Sequence, residues 1–95
     1  MLERSGPTLK VTAPMLYAGA VSLLAAGRAA LTPEIREIDL EAIGDADSDS
    51  SALAVLFAWL RDAKASNAEL RIVNAPAGLL SLAKLYGVDD FLPLA

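Results

Sequence analysis

The stretch IDLEAIGDADSDSSALAVLFAWL, Ile38–Leu60, joins an alternating apolar–acidic segment, an acidic Ser-rich loop and a strongly apolar helix. Ile38, Leu40 and Ala42 fall on one face, and Glu37, Asp39 and Glu41 on the other, so the spacing predicts a strand over Glu34–Ile43. Its acidic face is either exposed or has its carboxylates near loop donors. Leu53, Leu56, Phe57 and Leu60 recur at helical spacing, which predicts a helix from about Ser50 to Ala65 with one apolar stripe toward the sheet. Asp49 or Ser50 is its N-cap, because a short side-chain oxygen there accepts from the free N–H groups of the first turn. Ser50 and Ser51 are thereby held at a helix start, where the dipole favours negative charge such as an accepted phosphate.

Outward from this stretch, strands and helices alternate. Met1–Pro7 is polar and reads as frayed chain or a short edge strand. Thr8–Ala13 alternates, with Leu9 and Val11 on one face and Lys10 on the other, and predicts a half-buried strand ended by Pro14. Met15–Ala30 predicts a helix whose face of Leu16, Ala20, Leu23, Leu24, Gly27 and Leu31 is apolar, closed by Thr32-Pro33. Downstream, Lys64-Ala65-Ser66-Asn67 ends the central helix and Glu69–Asn74 is a strand with Leu70 and Ile72 inward. Leu79, Leu80, Leu82, Ala83 and Tyr86 carry a short third helix after Pro76, with Leu82 and Tyr86 in the core, Lys84 solvated and Gly87 as the stop. Val88–Leu94 forms a tail with Phe91 and Leu92 to bury. This order argues for an α/β fold with parallel strand pairs joined by right-handed crossovers.

Composition narrows the function. Ninety-five residues suit one small domain. The hydrophobic share is 55%, with only 5% aromatic, which suggests close-packed helices and a face for a partner to cover. A net charge of −4 argues against a nucleic-acid backbone as partner. Without Cys there are no disulfides or thiolate metal sites, and an intracellular setting fits; without His, imidazole chemistry and the usual zinc sites are also excluded. Ala13–Gly27 has the apolar character of a signal-peptide core, but Glu3, Pro14 and Arg28 fit neither that reading nor a membrane span. A packed helix is the better reading.

At Asp49-Ser50-Ser51-Ala52-Leu53, preceded by Ile38-Asp39-Leu40, the chain resembles STAS domains, the fold of bacterial anti-sigma factor antagonists. Val73-Asn74-Ala75-Pro76, followed by Leu82–Val88, looks like the MlaB branch, the small cytoplasmic subunit of the phospholipid-transporting Mla ABC complex. The similarity covers Thr8–Leu92. It implies a STAS-like mixed sheet of about four strands with three or so helices packed mainly on one face, over a single domain 1–95. It also implies a non-enzymatic role with no cofactor, no metal and no direct membrane insertion. The implied partner is an MlaF-like ATPase subunit of the ABC transporter, at the inner face of the inner membrane. In that branch the hydroxyl after the motif Asp is functionally important, and Ser50 matches it. In the anti-sigma antagonists the next residue is the phosphorylated serine, and Ser51 stands there; Ser51 or Ser50 is thus the expected phosphorylation site under the alternative of an antagonist switched by phosphorylation. A phosphate on Ser51 would suit the helix dipole but repel Asp47 and Asp49. Ala52 replaces the common Gly, which a first helical turn accepts. The loop is about two residues longer than the family pattern, so Asp47-Ser48 is an alternative register for Asp49-Ser50.

The expected partner-binding residues are therefore Asp49, Ser50, Ser51, Leu53 and Trp59. For the two serines, capping and partner contact coexist as readings. Trp59, the sole Trp and set off the Leu53/Leu56/Leu60 stripe, is either an exposed partner anchor rimmed by Arg61 and Asp62 or a half-buried helix aromatic. Asp45–Asp49 mimics the start of a calcium loop, but Ser50 and Leu56 stand where that loop requires Gly and Glu. An aspartyl phosphotransferase site is excluded by the lack of room for its remaining parts, and no residue set here is placed for catalysis.

Overall fold

A computed structural model describes residues 1–94. Four strands, β1 (Leu2–Ser5), β2 (Thr8–Val11), β3 (Glu37–Asp39) and β4 (Arg71–Val73), lie side by side in chain order. β1 is antiparallel to β2 through a turn in which Gly6 takes φ +59°, a conformation glycine adopts without a Cβ clash. β2, β3 and β4 are parallel, in a register that aligns Thr8, Glu37 and Arg71. The sheet is mixed, as the family resemblance implies, and Met1–Pro7 contributes an edge strand.

This strand order decides where the helices lie. The crossover β2–α1 (Ala20–Ala30)–β3 and the crossover β3–α2 (Ser50–Ala65)–β4 both step the same way across the sheet. Right-handed crossovers that never reverse direction place both helices on one face. α3 (Ala77–Leu85) joins them, and α2 is the central helix, packed against α1 on one flank and α3 on the other. Leu9, Val11, Ile38, Leu40 and Ile72 from the sheet meet Leu23, Leu56, Trp59 and Leu79 from the helices in one buried core. The opposite sheet face is polar and braced across its strands, where Glu37 accepts from the Thr8 hydroxyl at 3.0 Å and from Arg71 at 3.2 Å.

Several expected boundaries shift for local reasons. β3 is three residues long, not ten: Ile35 turns back to Thr32, and Asp39 Oδ1 accepts the Glu41 N–H at 2.9 Å, bending the chain after Leu40. Ala42 is consequently exposed. The first helix begins with a 3-10 turn at Tyr17–Gly19, and α1 proper starts at Ala20. α2 has the predicted limits, Ser50–Ala65, because Asp49 caps its start and Asn67, at φ 58°, ends it in a Schellman motif with Ala68 N–H bonded to Ala63 O. Gly87 at φ +70° stops α3 in the same way, through Val88 N–H to Ala83 O and Gly87 N–H to Lys84 O. Beyond it Leu92 is buried, but Phe91 and Tyr86 are exposed at 71% and 58%, contrary to their expected place in the core. Both lie where α3 has ended.

Candidate functional site

The start of α2 is built by Asp49. Its Oδ1 accepts the Ser51 N–H at 2.8 Å, the expected N-cap bond, and its Oδ2 accepts the Tyr17 N–H at 2.9 Å from the turn before α1. One carboxylate thus satisfies a free donor at each of two element starts. The strand-like contact of Met15 with Ser48, and the bond from Met15 N–H to Asp47 O, hold the same two chain segments together. These bonds hold the Asp49 carboxyl below the usual aspartate range: the Tyr17 N–H contributes most, the Ser51 N–H and hydroxyl add to it, and desolvation opposes them. Asp49 is therefore ionised at neutral pH and fully engaged inside the chain.

Around that fixed point the structure separates the expected site residues. Ser50 is exposed at the helix start, and Ser51 is half-buried with its N–H on Asp49. Leu53 is buried in the core at 5% exposure. Trp59 is fully buried, which corrects the expectation of an outward-facing anchor. Its indole lies flat on the backbone of α1, where a Cβ on Gly27 would come within 2.3 Å of the ring, and its Nε1–H donates to Leu24 O at 3.2 Å. An Arg28–Asp62 ion pair of 2.7 Å closes the same α1–α2 contact at the surface. The outward ridge of α2 is instead Ser50, Ala54 and Arg61, flanked by the half-buried Phe57.

Two residues expected in a packed helix are left open near the start of the first helix. Tyr17 is 81% exposed, and Val21, one turn further on, is 82% exposed. Tyr17 is tied to the α2 start through its backbone N–H on Asp49, the residue next to Ser50, and Val21 follows it one helical turn on. Only the spacing could have signalled this: Tyr17 and Val21 lie off the Leu16/Ala20/Leu23/Gly27 face.

The acidic loop before α2 has a structural task. Pro76, the N-cap of α3, offers no side-chain acceptor, and Asp45 Oδ1 reaches across to accept the Gly78 N–H at 2.8 Å. Asp47 Oδ2 closes its own turn onto the Gly44 N–H. Among the described residues, no group of three or more potential ligands is placed to hold a metal ion. No helix among them is long and apolar enough to cross a membrane.

The arrangement is that of a small α/β binding module: a one-sided helix layer on a mixed sheet, with a rigid helix start presenting hydroxyl and apolar groups. A family model described as "Mlab, STAS domain" matches residues 2–94, and the chain belongs to that family of MlaB-like STAS domains. No curated protein matches the chain. The family membership points to protein–protein interaction.

Proposed function

We propose that this chain is a non-enzymatic regulatory and assembly subunit of a phospholipid-transport ABC transporter, binding its cytoplasmic ATPase through the start and outward ridge of α2. One observation carries the reading: Ser50 is exposed at a capped helix start whose Asp49 also holds the Tyr17 N–H, and Tyr17 and Val21 are each more than four-fifths exposed. Tyr is enriched at interface hot spots, and a partner pocket would desolvate it together with Val21. In this arrangement Ser50 contacts the partner directly, while Asp49 and Ser51 fix the helix start. Leu53 and Trp59 support the surface from beneath. The effect on the ATPase is allosteric, since a contact made only with the turnover-competent conformation shifts the population toward it. The chain needs no cofactor for this, works as a single STAS domain, and sits in the cytoplasm at the membrane through its partner.

The alternative, an anti-sigma antagonist switched at Ser51, needs that hydroxyl free for a kinase. Ser51 is half-buried with its backbone N–H on the Asp49 carboxylate, so a phosphate on its hydroxyl would stand next to a carboxylate, and the constitutive reading is preferred. Isothermal titration of the purified chain with the ATPase subunit tests the proposal. Val21→Asp and Ser50→Asp each weaken binding by about tenfold or more, as expected for loss of a hot-spot contact; undiminished binding by both, with the fold intact, overturns it.

A further inference from the structure

At the opposite end of α2 lies a second open surface. Phe57, Leu60, Val88 and Phe91 line a groove of about 480 Å³ between the C-terminal half of α2 and the 3-10 turn Asp89–Phe91, with Arg61 and Lys64 along the α2 rim. Phe91 stands 71% exposed at the edge of this groove, and the preceding last turn of α3 leaves Leu85 77% exposed. A protruding aromatic and an apolar recess are thus adjacent on one molecule.

The charges repeat that relation. Asp89 and Asp90 directly precede Phe91, whereas Arg61 and Lys64 follow Phe57 and Leu60 by one helical turn. Among the described residues, none of these four charged side chains forms an ion pair. A partner that brings an apolar knob with acidic neighbours, and offers an apolar recess with basic neighbours, would satisfy both halves at once. A second copy of this chain has that description.

The geometry points to a symmetric dimer in which Phe91 of each copy seats on Phe57 and Leu60 of the other, with Asp89 and Asp90 brought against Arg61 and Lys64. A two-fold axis makes each contact twice, so two small patches suffice for a self-complementary interface. The patch is small, so the dimer is weak and concentration-dependent. The groove shares Phe57 and Arg61 with the far end of the outward ridge of α2 but lies away from Ser50, and the inference does not rest on the ATPase-binding reading.

Sedimentation velocity of the isolated chain, from about 10 µM to about 1 mM, spans the range expected for such an interface. The native chain shifts from monomer to dimer over this range, and Phe91→Asp stays monomeric with unchanged circular dichroism. Reversal of the basic rim (R61E with K64E) or of the acidic turn (D89K with D90K) weakens association at least several-fold, and the two reversals combined restore it. The acidic-turn reversal removes the net charge of the chain, so general repulsion would predict stronger association from it rather than weaker. A native chain that is monomeric throughout, a dimer that survives Phe91→Asp, or a combined variant that does not recover would each overturn the inference. So would a chain that stays monomeric while using Phe91 to bind the ATPase subunit, since the groove would then belong to a different partner.

Discussion

Trp59 on the α1 side of α2 and Tyr17 at the α2 start make the clearest contrast in the molecule. The first is fully buried and the second 81% exposed, although a lone Trp on an apolar helix is the more obvious candidate for a partner contact. The difference is set by what stands opposite each. α1 presents Gly27 to Trp59, and the missing Cβ leaves room for an indole to lie on the helix backbone. The Tyr17 backbone is held by Asp49 while its side chain is left largely exposed. Burial of a large side chain on a central helix therefore follows from the small residues of its neighbour, and exposure at a helix start from caps that spend backbone rather than side-chain groups.

The largest effect that would break this contrast lies on the closed side. Trp59→Ala removes a fully buried side chain and is expected to cost about 3–5 kcal/mol, read as a lower urea midpoint with an unchanged slope. A cost below about 0.5 kcal/mol, the range of ordinary surface changes, would mean that the indole faces solvent. Gly27→Ala comes next. Helix propensity alone favours Ala by about 1 kcal/mol, but the indole at 2.3 Å or less forces overpacking, so a net loss of about 1–3 kcal/mol is expected. Shrinking the opposing ring with Trp59→Phe should make the Gly27→Ala cost smaller, which a double-mutant cycle reads directly.

On the open side, Tyr17→Ala and Val21→Asp should leave folding within about 0.5 kcal/mol of native. Their effect should appear in ATPase binding instead, and loss of stability with retained binding would invert the assignment of the two regions. Gly87→Ala sharpens the picture at the end of α3: a left-handed φ of +70° penalises Ala by about 1–2 kcal/mol, read by thermal melting.

The smallest expected effect is with pH. Asp49 has its pKa lowered by folding, so its contribution is fully present above the unfolded aspartate value near 4 and is lost as pH falls through the lower folded value. Asp49→Asn should lower stability at neutral pH and flatten that acid-side slope, as followed by melting temperature between about pH 2 and pH 5.

The reach of sequence reading divides along the same line. α2 was legible to the residue, because its cap, its stripe and its polar end are local signals carried by Asp49, Leu53–Leu60 and Lys64–Asn67. The inward sets of β2 and β4 were legible for the same reason, through Leu9, Val11, Leu70 and Ile72. What the pattern could not hold was anything decided across elements. The side on which Trp59 is covered depends on α1, and the cap of α3 comes from Asp45 in a loop more than thirty residues upstream. The exposure of Tyr86 and Phe91 depends on how the chain after α3 is laid against α2, which no local pattern encodes. Tyr17 and Val21 were missed because their helix reads as packed until its partner face is known.

Amide hydrogen exchange of the chain, alone and with the ATPase subunit, tests the central claim most directly. The account predicts new protection concentrated in Tyr17–Val21 and Ser50–Ala54, with β3 and the Thr8–Glu37–Arg71 face unchanged. Protection confined to that sheet face, with the α2 start exchanging as in the free chain, would contradict it.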